Sequence, residues 1–206
     1  MLNYIVMNIA NLLTIFRVFV SPIFLFVYIE HDWLGISYHM LPYFLLILLI
    51  VSELSDAFDG FFARRYNQVT DLGKVLDPMA DSIARISVFL AFTLDPIKVP
   101  MLLVFVILCR ESAISTLRTV CALNGFALAA HKSGKIKAIL QAIAAFSIVL
   151  LMIPHSWGYI TTATLHTVSS WLVGVAAFYT FLTGVYYIYS HRDHISRLLT
   201  LPTAKN

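Results

Sequence analysis

A chain of 206 residues, 60% hydrophobic and only 12% charged, departs from soluble domains, of which about 25% is charged. Its mean hydropathy of +0.84 leaves too much apolar surface to hide from water, which argues against a soluble helical bundle and for a membrane protein. The formal charge of +3 and the pI near 8.9 imply no nucleic-acid partner, because the basic residues flank apolar runs, where topology accounts for them.

The opening residues, MLNYIVMNIANLLTIF, lack the basic start and small-residue cleavage site of a signal peptide. Residues 2–10 suit a short helix lying along the membrane interface. Six apolar stretches then follow, over 12–29, 40–62, 79–94, 99–119, 136–154 and 165–189. A span needs about 20 residues; the third reaches that length when counted from Asp77. No linker divides the chain and no repeat is evident, so residues 1–206 read as a single membrane-embedded domain, an all-α six-transmembrane-helix bundle.

Arg64, Arg65 and Lys74 fall between spans two and three. Arg118, Lys132, Lys135 and Lys137 fall around the connection of four to five, and Arg192, Arg197 and Lys205 after the sixth. The other connections hold only Lys98 among basic residues, with Glu30, Asp32 and Asp95. The positive-inside rule therefore puts the 63–77 and 120–135 loops and both termini in the cytoplasm. Trp33, Trp157 and Trp171 are expected at the membrane interfaces. Cys109 and Cys121 lie in or beside apolar helix and suggest neither a disulfide framework nor a zinc site. His191 and His194 read as solvated interface groups.

Asp56 and Asp59 are three apart near the cytoplasmic end of span two, and Asp77 and Asp81 four apart at the start of span three. Each spacing puts its pair on one helix face. Asp77 before Pro78 also looks like a helix start, with proline in the first turn. Four carboxylates gathered at membrane depth repel one another and are costly. Hard divalent cations resolve that conflict, since Mg²⁺ binds carboxylate oxygens together with substrate phosphates. Pairing with Arg64, Arg65 or Arg85 is the structural alternative. A cation transporter is another, but it would need polar residues across the whole bilayer, and the carboxylates gather at one end. Gly60, Ala63 and Gly73 leave room nearby for a ligand or a close helix.

The run Asp56-Ala57-Phe58-Asp59-Gly60-Phe61-Phe62-Ala63-Arg64, with Gly73, Asp77 and Asp81 at their spacing, resembles the signature of the CDP-alcohol phosphotransferase family. That resemblance implies a homodimer in a bacterial inner membrane, each protomer holding two Mg²⁺ or Mn²⁺ ions. Asp56, Asp59 and Asp77 would bind one ion and Asp59, Asp77 and Asp81 the other, with Asp81 also the general base. Gly60, Ala63 and Gly73 would border the cytidine of a CDP-linked lipid, and Arg64 its phosphates. CMP would leave as an alcohol takes over the phosphatidyl group.

For the acceptor, Arg110 and Arg118 lie eight apart on roughly one face of span four, and Lys135 and Lys137 follow at the start of span five. Such a group suits an acceptor that carries its own phosphate; positive-inside topology and an Arg110–Glu111 pair are the bland readings. The stretches Asn11-Leu12-Leu13-Thr14 with Phe16-Arg17, Asp71 to Asp81, Arg110-Glu111 and Gly134-Lys135-Ile136-Lys137 are most similar to the family's bacterial phosphatidylglycerophosphate synthase branch. This similarity implies CDP-diacylglycerol as donor and sn-glycerol 3-phosphate as acceptor, with Asn11, Thr14 and Arg17 at the mouth of the site. Inositol phosphate, phosphatidylglycerol and serine are the rival acceptors. Ser82, Thr119 and Glu53 depart from that branch's pattern.

Overall fold

The computed structural model describes residues 9–65, 71–123 and 132–192, with side chains over 12–58, 79–121 and 134–192. Among these residues the chain is all α. Six helices follow in order: α1 Ile9–Ile29, α2 Leu41–Arg65, α3 Asp71–Ala91, α4 Met101–Leu123, α5 Lys132–Ser156 and α6 Thr162–Ser190. Residues 2–8 of the expected interfacial helix, and Arg197, Lys205 and His194, lie outside the described residues.

The helix boundaries have local causes. Pro42 stands in the first turn of α2, where its missing N–H has no partner to lose. The Thr161 side chain caps α6 by accepting from Thr164 N at 3.2 Å, which satisfies one of the orphan amides of a helix start. Pro22 and Pro154 sit inside α1 and α5, as membrane helices tolerate. One expectation is corrected at α3. It begins at Asp71, so Pro78 lies within the helix rather than in its first turn. Likewise α2 runs to Arg65, and the helical ends take up most of the expected 63–77 loop. Helix geometry here extends past the apolar stretch, because polar residues at the membrane surface are no obstacle to backbone hydrogen bonding.

α1 packs against α2 and α3, α5 against α6 and α2, and α4 against α6 and α3. One half of the interior is apolar, built around Phe24, Leu45, Leu49, Phe89, Phe92, Ile148 and Met152. Phe92 meets Phe24 and Phe89 edge to face, with ring centroids 6.3 and 6.0 Å apart, a preferred aromatic geometry. The other half is polar: Thr14, Arg17, Glu111, Lys137, Gln141 and Thr180 are all buried. Large apolar side chains instead cover the outside, with Leu102 70%, Phe19 67% and Phe178 66% exposed. That arrangement suits lipid and would aggregate in water.

Among the described residues, four helices are long and apolar enough to cross a membrane by composition alone: α1, α2, α5 and α6. α3 and α4 have the length, but carry Asp81, Arg85, Arg110, Glu111 and Arg118. The chain is thus a multi-pass membrane protein. Trp33 and Trp157 flank helix ends as expected. Trp171 does not: it lies nine residues into α6, roughly 14 Å at 1.5 Å per residue, on the lipid-facing side.

At the end away from the polar half, residues 30–40, 92–100 and 157–161 connect the helices. The Tyr38 hydroxyl lies 2.7 Å from His155 Nδ1, and His155 Nε2 lies 3.1 Å from Thr162 Oγ1. These contacts tie the α1–α2 connection to the α5–α6 turn, holding the bundle closed opposite the site.

Candidate active site

The carboxylates sit where α2 and α3 face α1. Asp56 on α2 and Asp81 on α3 converge on one side chain that the sequence put only at the mouth of the site: Arg17 of α1. Its Nη1 pairs with Asp56 Oδ1 and lies 3.1 Å from Asp81 Oδ1. Arg17 is buried in doing so, its side chain 3% exposed against 48% for Asp56. Arg85, one turn along α3, reaches the second Asp81 oxygen at 3.2 Å. Expected as a rival explanation of the carboxylates, Arg85 is therefore a real partner of one of them. Two carboxylates in reach of one guanidinium nitrogen are close enough to share a small cation as well.

Asp59 and Asp77 lie on α2 and α3, but their side chains fall outside those described, as do those of Gly60, Ala63, Arg64, Gly73 and Asn11. Among the described residues no three His, Cys, Asp or Glu side chains are grouped to hold a metal. Asp56 and Asp81 supply hard oxygen donors of the kind Mg²⁺ and Mn²⁺ take, so the described part of the set fits such an ion.

Below the carboxylates is a cavity of about 50 Å³, room for a few waters at roughly 10–15 Å³ each. Arg17, Ser52, Glu53, Asp56, Asp81, Arg85 and Gln141 form its polar wall, with Phe24, Leu49 and Phe89 closing it towards the apolar half. Glu53, which departs from the branch's pattern, thus faces the site from one turn deeper on α2. Thr14 is buried on α1, one turn before Arg17.

The cationic residues divide according to helix face. Lys137 on α5 is buried and ion-paired with Glu111 of α4, side chains 6% and 9% exposed. Arg110 Nη1 lies 3.6 Å from the other Glu111 oxygen, and Arg110 Nε meets no acceptor among the described residues. Gly184 of α6 makes room for this arginine: a Cβ there would come within 2.9 Å of Arg110 Cγ. Arg118 donates from Nε to the Tyr187 hydroxyl at 3.3 Å, its guanidinium carbon 5.3 Å from the same ring's centroid. Lys135 is exposed. Of the four cations read together in the sequence, Lys137 and Arg110 surround a buried carboxylate, Arg118 rests on α6, and Lys135 is solvent-exposed at the start of α5.

Sequence reading missed Glu111 as an organising charge, Gln141, Gly184 and Tyr187 altogether. Helical spacing from Lys137 could have flagged Gln141, four residues on and so on the same face. Nothing in the sequence pairs α6 with α4.

The family model described as CDP-alcohol phosphatidyltransferase matches residues 7–182. The CDP-diacylglycerol–glycerol-3-phosphate 3-phosphatidyltransferase of Bacillus subtilis is 34% identical over 183 residues, covering 86% of this chain and 91% of the relative. The protein of the same name from Rickettsia typhi is 32% identical over 182 residues, covering 87% and 94%. That from Wigglesworthia glossinidia brevipalpis is 33% identical over 149 residues, covering 69% and 77%. With the carboxylates of α2 and α3 inside the matched region, this chain is an enzyme that belongs to the CDP-alcohol phosphatidyltransferase family.

Proposed function

We propose that this chain transfers the phosphatidyl group from CDP-diacylglycerol to sn-glycerol 3-phosphate, giving phosphatidylglycerol phosphate and CMP. The observation that carries the reading is the meeting of Asp56 and Asp81 over a polar cavity, beside a helix pair, α4 and α5, that carries Arg110, Arg118 and Lys135. The names of the relatives from Bacillus and Rickettsia support the same donor and acceptor.

Asp81 takes the proton of the acceptor hydroxyl as its oxygen attacks the phosphorus that bears the diacylglycerol. The bond from that phosphorus to the CMP oxygen breaks, and CMP leaves. Arg17 keeps Asp56 and Asp81 at a fixed separation, and Arg85 holds Asp81 from its other oxygen. Arg110, Arg118 and Lys135 receive the acceptor's own phosphate, for which guanidinium geometry is suited. Lys137, through Glu111, sets where Arg110 stands. Gly60, Ala63 and Gly73 border the cytidine, Arg64 lies at the donor phosphates, and Asn11 and Thr14 line the mouth. Asp56, Asp59 and Asp77 would hold one Mg²⁺ or Mn²⁺ ion and Asp59, Asp77 and Asp81 a second. Such ions supply neutralisation of the diphosphate and of the leaving oxygen.

Residues 1–206 form one domain of six spans. α3 and α4 count among them because their charges turn inward: Asp81, Arg85, Arg110 and Glu111 are 33%, 21%, 10% and 9% exposed. Basic residues at the carboxylate end favour a cytoplasmic site and termini in a bacterial inner membrane, with two protomers forming a homodimer.

The test is an acceptor screen with purified protein, CDP-diacylglycerol and Mg²⁺ or Mn²⁺. CMP release should require sn-glycerol 3-phosphate and yield phosphatidylglycerol phosphate. Preferential turnover of inositol phosphate, serine or phosphatidylglycerol would refute the acceptor assignment.

A further inference from the structure

Gln141 of α5 is 1% exposed and lines the cavity with Asp81, Arg17 and Arg85. Its amide nitrogen donates to Thr180 Oγ1 of α6 at 3.0 Å and stands 3.5 Å from Glu111 Oε1. A carboxylate oxygen only accepts, so Glu111 fixes which end of the amide is NH₂ and turns the carbonyl oxygen the other way. That oxygen, Oε1, is buried and meets no donor among the described residues. A buried acceptor left without a donor is costly, and this one belongs to a side chain anchored at its other end by α4 and α6.

We propose that Gln141 Oε1 accepts a hydrogen bond from the C2 hydroxyl of the acceptor and so makes Gln141 a specificity-determining residue. The inference rests on the acceptor reading above. The reacting hydroxyl belongs at Asp81 and the phosphate at the cations of α4 and α5. Gln141 shares the cavity with Asp81 and, through Glu111, joins the ion pairs of α4, so it stands between those two anchors. The middle carbon of a three-carbon acceptor bridges the same interval. Its hydroxyl has a proton to donate, and Oε1 has only lone pairs to offer. A site with a buried polar group dedicated to a substrate hydroxyl rejects the analogue lacking it, because the group is then stranded.

The test compares kcat/KM for sn-glycerol 3-phosphate and for 3-hydroxypropyl phosphate, in which hydrogen replaces the C2 hydroxyl. Wild-type protein should prefer glycerol 3-phosphate by about 10- to 100-fold, the range for stranding one buried acceptor. Gln141→Leu should bring the two acceptors within about threefold, through a larger loss on glycerol 3-phosphate than on 3-hydroxypropyl phosphate. Gln141→Asn keeps the amide, withdraws its oxygen by one methylene, and should lose part of the preference. Equal treatment of both acceptors by wild-type protein, or undiminished preference in either variant, would overturn the contact and assign Oε1 to a bound water. CMP release with neither three-carbon acceptor, but with another alcohol, would overturn the acceptor reading and this contact with it.

Discussion

Replacing Glu111 with glutamine keeps the side chain's volume and removes its charge. Lys137 then stays buried beside a neutral amide, and Arg110 loses the carboxylate 3.6 Å from its Nη1. The Lys137 and Glu111 side chains are only 6% and 9% exposed, so water cannot take the missing partner's place. Breaking a buried pair by removing one member costs about 3–5 kcal/mol. The same reasoning sets an order among variants. Lys137→Met leaves Glu111 still facing Arg110, so it should cost less than Glu111→Gln, which leaves two cations uncompensated. Glu111→Leu with Lys137→Met removes both members of the closer pair but still leaves Arg110 without its carboxylate, so it should recover only part of the stability lost in Glu111→Gln. Equilibrium unfolding in mixed micelles, followed by tryptophan fluorescence, measures all three. A Glu111→Gln protein within about 1 kcal/mol of wild type, or a Lys137→Met protein less stable than it, would refute the reasoning and return Lys137 to the acceptor phosphate.

The site itself yields further expectations. Asp81→Asn should lower kcat by about 10²–10⁴, the usual worth of a general base, while thermal unfolding in detergent stays near wild type; near-normal CMP release would remove the role. Arg17→Lys keeps the charge but gives up the longer, rigid guanidinium whose Nη1 reaches both Asp56 and Asp81. A partner of metal-ligating carboxylates is worth about 10- to 100-fold in metal affinity, so Mn²⁺ binding followed by electron paramagnetic resonance should weaken by that factor, and unchanged binding would count against Arg17 as the spacer. In Gly184→Ala the new Cβ would approach Arg110 Cγ at 2.9 Å and push the arginine aside. Overpacking costs about 1–3 kcal/mol, and the KM for glycerol 3-phosphate should rise with little change in kcat. An unaltered KM would mean that the seat of Arg110 is not set by α6.

What the sequence made legible was the helix face that each carboxylate shares with its near neighbour. Asp56 with Asp59 and Asp77 with Asp81 are visible because three- and four-residue spacings name a face without knowledge of the neighbours. Contacts between helices were not visible. Arg17 and Asp56 are 39 residues apart, Lys137 and Glu111 26, and Gln141 and Thr180 39. A helical pattern says which way a side chain turns, not which helix it meets. Lys135 and Lys137 show the limit well. They read alike as a basic pair, yet residues two apart on a helix point to nearly opposite sides, and so one is exposed and the other buried in an ion pair. Pro78 misled for a related reason, since a proline signals a helix start only where the helix has no further turn to offer.

The two helices that fall short of the apolar criterion for a span, α3 and α4, are also the ones that carry Asp81, Arg85, Arg110 and Glu111. A charge that faces lipid is expensive, and one that faces other charges inside a bundle is far less so. Hydropathy counts both alike, so it undervalues a span in proportion to the chemistry it bears. In this fold the polar half of the interior is built from the inward faces of those spans together with Arg17 and Gln141, taken from helices that pass the apolar criterion easily. The apolar half, closed by Phe24, Phe89 and Phe92, seals the far side. A lipid-borne donor and a water-borne acceptor require such a division, because the reacting groups must meet in a polar space while the donor's chains remain in the bilayer. Moving one buried charge to the outer face of α3 or α4 should therefore harm membrane insertion and activity together, whereas a lipid-facing substitution such as Phe105→Leu should harm neither.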